Sequence, residues 1–403
     1  MKITRNIKKT GICVVAALTL SLAFAGCKLN EVPEIQTPSS MDDVITTTAP
    51  EETTTLPTIE IVPGETTSTD ETTSSNVGET TEPTTDQTGD TPGNTEGMAR
   101  SYLTGKWVSR DIARKRPIAI VLSNIITAVP QSGIEKAEVI FETPVEGGIT
   151  RLLALFEDYS ALDKIGSVRS ARLYHVYIAL EFDAIFAHFG SAVYADELLN
   201  STTVDNLSGL KGEGTVTYYR TTDRKAPHNA YTSAQGIAAG IKYKNYRTTF
   251  SDNYSGHFKF TDDNNRVVLS GANAVDATYV SPGYTNNSPW FEYNSTDMKY
   301  YRFQFGGKQV DVETGNQLAF DNVIFQVVDY YDYGDGYYYI HNQGNGTGKY
   351  ITGGKCVDIT WAKDEEFGIT RYYYSDGTEV ALNQGKTWIS LVFDTNVKKI
   401  VVK

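Results

Sequence analysis

Cysteine is scarce in this sequence. Only Cys13, Cys27 and Cys356 occur among its 403 residues, and Cys13 lies in an apolar N-terminal run. Cys356 is therefore the one thiol in the part of the chain that has a globular pattern, and no disulfide can stabilise that part. A hydrophobic core must supply the stability instead, and about 300 residues are ample for one or two cores.

The apolar run near the N-terminus is too short to cross a membrane. It covers residues 11–25, about 15 residues where a spanning helix needs roughly 20. A basic segment precedes it, and small residues and Cys27 follow it, which is the order found in secretory signals. We therefore predict a lipoprotein signal peptide over residues 1–26, with Cys27 lipidated and the protein anchored at the extracytoplasmic face of the cell membrane. A transmembrane helix and a secreted chain without lipid are the alternatives.

Basic residues are missing between Glu31 and Glu96, a stretch that holds 15 acidic residues. Residues 27–99 are also rich in Thr, Pro, Ser and Gly and poor in apolar side chains, so burial cannot offset the entropy of ordering them. We predict a disordered tether, which as a flexible coil of about 70 residues spans on the order of 45–50 Å. With 15 acidic residues and one basic residue, Lys28, the tether has a net charge of −14 and is the source of the formal charge of −13 of the whole chain. The folded remainder is near neutral and lacks the basic surface of a nucleic-acid-binding domain, so no nucleic-acid partner is expected.

The rest of the chain shows two patterns. In residues 100–248 apolar strands alternate with helices. The expected strands include 116–124, 137–145, 149–158 and 183–190, and the expected helices are 173–180, a short one capped by Ser191 and ending at Leu199, and 233–243. In residues 249–403 the helical signal disappears, and short alternating runs are dense in Tyr and Phe. We predict an α+β fold, in which an N-terminal mixed α/β layer precedes a mostly antiparallel, Tyr-rich β domain. Whether the two share one core stays open.

Catalytic and metal-binding motifs are lacking. None of the five histidines lies at zinc-ligand spacing from another His or Cys, so no metal site is expected. No nucleophile elbow of the type Gly-x-Ser-x-Gly occurs. The Tyr-rich stretches 330–339 and 372–374 could stack on sugars, but aromatic residues also pack in sheets without any ligand.

Seven cationic or titratable side chains gather at turns and strand ends of the N-terminal part. They are Arg151, Arg169, Arg172, Arg220, Arg224, Lys225 and His228. Guanidinium groups suit phosphate and carboxylate, and the backbone N–H groups of a helix that starts near Ser170 would add donors. The sequence therefore indicates an anion-binding site. Structural ion pairs are the alternative, and the available partners are Glu142, Glu146, Glu181 and Asp183.

Several long blocks occur in an order that resembles one known family. They include "RPIAIVLSN" (116–124), "KIGSVRSAR" (164–172), "RKAPHNAYTS" (224–233) and "GKTWISLV" (385–392). From about residue 116 to the C-terminus the chain resembles the YerB-like lipoproteins of Gram-positive bacteria, which carry a domain of unknown function. The resemblance implies the anchor and a two-part fold. Ser123 stands where the family usually has Asp, which weakens a metal role at that strand end, and Phe189 stands where a small residue is common.

The order of strand, Arg and helix around residues 149–190 is also similar to that of LytR-CpsA-Psr enzymes. Those enzymes transfer phosphate-linked glycopolymers from a polyprenyl-pyrophosphate carrier to peptidoglycan. The similarity implies that Arg151, Arg169 and Arg172 clamp a pyrophosphate, while Asp183 or Glu142 holds a divalent ion such as Mg²⁺.

Three functions follow as hypotheses. The leading one is an accessory envelope lipoprotein that binds an anionic or glycan component of the cell wall. The alternatives are a phosphotransferase that acts on polyprenyl-pyrophosphate-linked glycopolymer, and a protein-interaction module whose partner is unknown. Whether the protein is an enzyme stays open, and no cofactor is expected outside the phosphotransferase alternative.

Overall fold

Strands dominate the structure, a computed structural model that describes residues 95–271 and 273–403. The predicted signal peptide (1–26), Cys27 and the predicted tether as far as residue 94 lie outside the described residues. Within those ranges, no helix is long and apolar enough to span a membrane. The fold is β-rich with few helices, which confirms that part of the predicted fold class. The finer layering and the domain boundary at residue 248 stay predictions.

The described residues contain five α-helices, all before residue 250. They are α1 (Arg110–Ala113), α2 (Leu173–Glu181), α3 (Val193–Asn200), α4 (Gly214–Thr217) and α5 (Ala234–Lys244). The three predicted helices correspond to α2, α3 and α5. At α5, Ser233 is the N-cap residue, and its hydroxyl accepts a hydrogen bond from the Gly236 N–H at 3.1 Å. The prediction that Ser191 caps α3 is wrong, because Ala192 takes the N-cap position and the Ser191 hydroxyl donates to Asp196 instead.

Ten strands precede residue 250, among them the four predicted at residues 116–190. They are β1 (Met98–Arg100), β2 (Trp107–Ser109), β3 (Ile118–Asn124), β4 (Val139–Pro144), β5 (Thr150–Phe156), β6 (Ile165–Gly166), β7 (Ile185–His188), β8 (Asn206–Ser208), β9 (Tyr218–Arg220) and β10 (Ala230–Thr232).

Sixteen strands follow in the described residues after position 250. They are β11 (Lys259–Phe260), β12 (Val275–Asp276), β13 (Tyr279–Ser281), β14 (Trp290–Asn294), β15 (Lys299–Gln304), β16 (Gly307–Lys308), β17 (Ala319–Phe320), β18 (Asn322–Val328), β19 (Tyr330–Asp332), β20 (Tyr338–Ile340), β21 (Gly344–Thr352), β22 (Lys355–Lys363), β23 (Arg371–Tyr373), β24 (Ala381–Leu382), β25 (Thr387–Phe393) and β26 (Val401–Val402).

One 11-stranded sheet runs through both parts of the chain. Its order is β12-β22-β21-β18-β25-β4-β5-β3-β7-β8, and β23 pairs with β22. Strand β25 lies at the junction, because it pairs with β18 on one side and with β4 on the other. The sheet is therefore completed by a strand that comes near the end of the chain.

Both pairings of β25 are parallel, which the prediction of a mostly antiparallel C-terminal part did not include. Every residue of β25 is buried, and so is nearly all of β18. Strands covered on both faces read as continuous apolar runs rather than alternating ones. The continuous apolar run at β25 therefore indicates a central strand, but it does not tell whether the neighbouring strands are parallel or antiparallel to it.

Alternate residues of the central strands enter two apolar clusters, one on each face of the sheet. From β3, Val121 packs in the cluster that includes Val176 of α2, whereas Ile120 packs in the cluster that includes Ile237 of α5. The second cluster also joins a six-stranded sheet of order β16-β15-β14-β13-β26, with β17 paired to β15. Because β3, β4 and β7 run in one direction, their carboxyl ends share one edge of the main sheet. Ligands commonly bind at such an edge.

Candidate anion-binding site

The Glu146 carboxylate is the centre of the candidate site. It lies directly after β4, in a tight turn where Gly147 and Gly148 both have positive φ angles of 72° and 69°. Oε2 accepts from Nε of Arg172 at 3.0 Å, and Oε1 accepts from Nη2 of the same residue. Oε1 also lies 3.4 Å from Nη2 of Arg151. Two guanidinium groups therefore share one carboxylate.

Backbone carbonyl groups hold the same two guanidinium groups in place. Arg151 donates to the carbonyl of Ser170 at 2.7 Å, and Arg172 donates to that of Ala171 at 2.9 Å. Both arginines are buried. Helix α2 begins at Leu173, close to the expected position near Ser170, and the segment before it presents carbonyl groups to the two guanidinium groups. These arginines are positioned by the fold and have little freedom to move.

Arg169 is the third guanidinium and is only half-buried. Its one side-chain hydrogen bond in the described part of the chain goes to the carbonyl of Pro227 at 3.3 Å. Burial lowers the pKa of Arg169, and the positive charge of Arg172 lowers it further. The same two causes lower the pKa of Arg151 to about 10. The three guanidinium groups are thus close enough to repel one another, with one carboxylate between them.

His228 adds a neutral group to this cluster. Its Nδ1 lies 3.5 Å from the hydroxyl oxygen of Ser123, at the end of β3. Burial lowers the pKa of His228, and the charges of Arg169 and Arg224 lower it further. The imidazole is therefore neutral at pH 7 and can donate or accept one hydrogen bond.

The remaining predicted cations lie at the margin. Arg220 donates to Oδ1 of Asn229 at 2.7 Å and lies over the ring of Phe189, 4.5 Å from its centroid. Arg224 donates to the carbonyls of residues 128 and 130. The exposed ammonium of Lys225 makes no hydrogen bond or ion pair with the described residues. The structure thus brings Arg151, Arg169, Arg172 and His228 together, and it leaves Lys225 outside.

Only one of the four carboxylates considered as ion-pair partners contacts these arginines. Glu142 instead pairs with Arg302, at 2.6 Å. Glu181 pairs with His257 and Lys363, and Asp183 pairs with Arg247 and Arg116. Glu142 and Asp183, the two expected divalent-ion ligands, are therefore each bound to a cationic side chain. Within the described ranges, no three His, Cys, Asp or Glu side chains form a group that could hold a metal.

The sequence analysis did not connect two aromatic side chains, Tyr194 and Phe189, with the site. Tyr194, in the first turn of α3, stacks on Tyr333 with ring centroids 3.5 Å apart. The guanidinium of Arg220 lies over the ring of Phe189. A large aromatic side chain at the solvent-facing start of a helix is a usable signal, and it would have singled out Tyr194.

Two surface cavities are lined by residues outside the candidate site. One of about 320 Å³ is lined by residues that include Val268, Asp358 and Tyr374. Another of about 370 Å³ is lined by residues that include Tyr102, Arg114 and Phe250. Neither is lined by Arg151, Arg169 or Arg172.

Two family profiles match the chain. Residues 103–247 match the N-terminal domain, and residues 278–389 the C-terminal domain, of a protein family of unknown function (DUF3048). YerB of Bacillus subtilis (strain 168), which is named as a lipoprotein, is 31% identical over 311 residues, or 74% of this chain and 87% of YerB. The chain belongs to the YerB-like family. The expected membership is thereby confirmed.

A solved structure gives the same relationship. The crystal structure of YerB from Bacillus subtilis matches the YerB-like chain with a TM-score of 0.65 and 28% identity, over 76% of this chain and 99% of that one. The YerB-like family has no established activity in its description. Any statement about the ligand of this YerB-like chain therefore rests on its own site.

Proposed function

We propose that this YerB-like chain is a lipid-anchored protein of the extracytoplasmic membrane face that binds an anionic component of the cell wall in an accessory role. One observation carries the proposal. Arg151 and Arg172 share the single carboxylate of Glu146, and Arg169 lies within electrostatic range of Arg172 and Glu146, so two of the three positive charges remain uncompensated. A phosphate or carboxylate group bound there would relieve the repulsion between the guanidinium groups.

Arg169 is the side chain best placed to contact such a ligand. A guanidinium has five N–H donors, and Arg169 uses one of them on a backbone carbonyl. Arg151 and Arg172 already donate hydrogen bonds to a backbone carbonyl and to Glu146, respectively. They therefore attract an anion mainly through their positive charge and not through free N–H groups. Their burial strengthens that attraction, because water screens a buried charge less than an exposed one.

Calorimetry on the full chain tests this proposal. We expect inorganic pyrophosphate and poly(glycerol phosphate) to bind, with affinities that fall as salt concentration rises. Arg169→Ala should weaken binding by about tenfold or more, the loss of one or two charge-assisted hydrogen bonds. Arg266→Ala, at an exposed arginine that donates to the carbonyl of Met298, is the matched control and should leave affinity unchanged. Equal binding by all three proteins would disprove the proposal.

A second experiment with the same proteins distinguishes binding from phosphotransfer. A polyprenyl-pyrophosphate-linked glycan is incubated with the protein, Mg²⁺ and peptidoglycan, and transfer of the glycan is followed. Binding without turnover would support the accessory role. Turnover that is lost in Arg169→Ala would support the phosphotransferase alternative.

A further inference from the structure

A strip of aromatic side chains extends from the arginines across the β19–β20 hairpin. We call this the aromatic strip, and it consists of Tyr194, Tyr331, Tyr333, Tyr337, Tyr339 and His341. Strands β19 and β20 pair with Tyr331 opposite Tyr339. The other face of the hairpin packs against the core, since Tyr330 stacks on Phe393 with ring centroids 3.6 Å apart. The aromatic strip is therefore the outer face of the hairpin.

The aromatic strip begins at the anion site. The guanidinium of Arg172 lies over the ring of Tyr337, 5.0 Å from its centroid. Ring contacts then continue outward through Tyr194 and Tyr333 to Tyr331, with centroid distances of 6.1, 3.5 and 5.2 Å. Tyr331 and Tyr339 lie nearly parallel at 5.0 Å, and His341 follows Tyr339 at 4.7 Å. One continuous surface thus joins a cationic end to an aromatic end.

The outer end of the aromatic strip is not buried in the core. Tyr331 keeps 47% of its surface exposed. An exposed group of aromatic rings on a soluble protein commonly marks a binding surface, because the rings offer apolar faces together with polar hydroxyl groups.

The charge around the aromatic strip selects among possible occupants. Three acidic side chains flank it: Asp335 accepts from the Tyr194 hydroxyl at 2.8 Å, Asp329 lies 3.5 Å from His341, and Asp332 is exposed in β19. Carboxylates repel phosphate but accept hydrogen bonds from hydroxyl groups. The strip therefore suits an uncharged, hydroxyl-rich ring with one apolar face, which describes a sugar, whereas the arginine end suits an anion.

We infer that the aromatic strip is the sugar-binding extension of the arginine site, so that the ligand is a glycan that carries phosphate or carboxylate groups. This inference rests on the proposed function at the arginines. The anionic group binds at Arg169, and neutral sugar rings of the same chain stack on Tyr331 and Tyr339.

The test uses the full chain with three probes: inorganic pyrophosphate, neutral chitotetraose, and chitotetraose phosphorylated at its reducing end. The double variant Tyr331→Ala/Tyr339→Ala should lose about tenfold in affinity for both oligosaccharides, while its affinity for pyrophosphate stays unchanged. Arg169→Ala should lose pyrophosphate and phosphorylated oligosaccharide but keep chitotetraose. Tyr243→Ala, at a tyrosine on α5 that is 59% exposed, is the matched control.

The outcomes separate the two claims. If wild type binds neither oligosaccharide, or if the double tyrosine variant binds them as tightly as wild type does, the aromatic strip is not a sugar site, whatever pyrophosphate does. If pyrophosphate fails to bind wild type, the proposed function fails. Circular dichroism on each variant checks folding, and Tyr331→Phe/Tyr339→Phe, which retains the rings, should retain most of the oligosaccharide affinity.

Discussion

The Arg302 guanidinium donates to Oε2 of Glu142 across 2.6 Å, and both side chains are fully buried. This contact joins β15 of the second sheet to β4 of the main sheet. Oε1 of the same carboxylate accepts hydrogen bonds from the Asn287 amide at 2.8 Å and from the Thr150 hydroxyl at 2.9 Å. A buried pair of this kind tolerates the removal of both charges better than the removal of one.

Arg302→Met is expected to lower the free energy of unfolding by about 3–5 kcal/mol, because Glu142 would stay buried without its cation. The double variant Glu142→Gln/Arg302→Met removes both charges and should regain much of that loss. Urea denaturation followed by circular dichroism measures both. Equal destabilisation in the single and double variants would show that lost packing, and not the unpaired charge, is responsible.

Glu146→Gln should have opposite effects on stability and on anion binding. Burial alone would raise the pKa of Glu146, but the hydrogen bond from Arg172 and the charge of Arg151 hold it below its ordinary value. The charged form is therefore stabilising above the unfolded pKa of about 4.3, and this stability is lost as pH falls through the lower folded value. At pH 7 the variant should lose about 1–3 kcal/mol of unfolding free energy.

Pyrophosphate should bind Glu146→Gln more tightly than wild type, since the competing carboxylate is gone. Calorimetry at two salt concentrations gives the comparison with wild type. Weaker binding by a variant that is still folded would mean that Glu146 orients the arginines and does not compete with the ligand.

Glu138 and Glu157 are a buried pair of acids, and we expect them to make the protein less stable as pH rises. Burial raises the pKa of Glu157 to about 7 and that of Glu138 to about 8. A folded pKa above the unfolded one means that the contribution to stability is complete below about pH 4.3 and is lost as pH rises through about 7–8.

The variant Glu157→Gln, which cannot ionise, should therefore be more stable than wild type at pH 8 by about 1–3 kcal/mol and similar to it at pH 5. Thermal melts across this pH range give the comparison. Glu365→Gln, at an exposed acid, is the control and should show no such trend. A Glu157→Gln curve parallel to that of wild type would contradict the assignment.

Local sequence patterns predicted a helix or strand well where a single signal, such as a capping residue or a continuous apolar run, was strong. Helix α5 has a capping serine and helical spacing, and β3, β5 and β7 are continuous apolar runs, so each was found nearly at its bounds. Residues 265–270 lie in the part for which short strands were predicted, but they form no strand: the Val267 N–H donates to the side chain of Asn383 and not to a neighbouring strand. A side-chain partner more than 100 residues away leaves no local signature.

The candidate site could be predicted only in part. The seven residues were chosen for their charge and for their position at turns, and these criteria do not distinguish Arg169 from Lys225. The distinction arises from long-range pairing. Segment 166–172 lies beside the C-terminal half of β3, since the Arg169 N–H donates to the carbonyl of Val121, and Pro227 is brought beside it by the pairing of β6 with β10. The hairpin that carries Tyr337 comes from still farther along the chain.

The place of β25 in the main sheet has a consequence for biogenesis. A ribosome delivers β4 some 240 residues before β25, and until then one edge of β4 lacks its parallel partner. Unpaired edges of this kind invite association with other chains. A premature stop before residue 387 would leave that edge permanently open, and the truncated product should be cleared by proteases or aggregate. The two halves of the main sheet are therefore joined only once β25 has been synthesised.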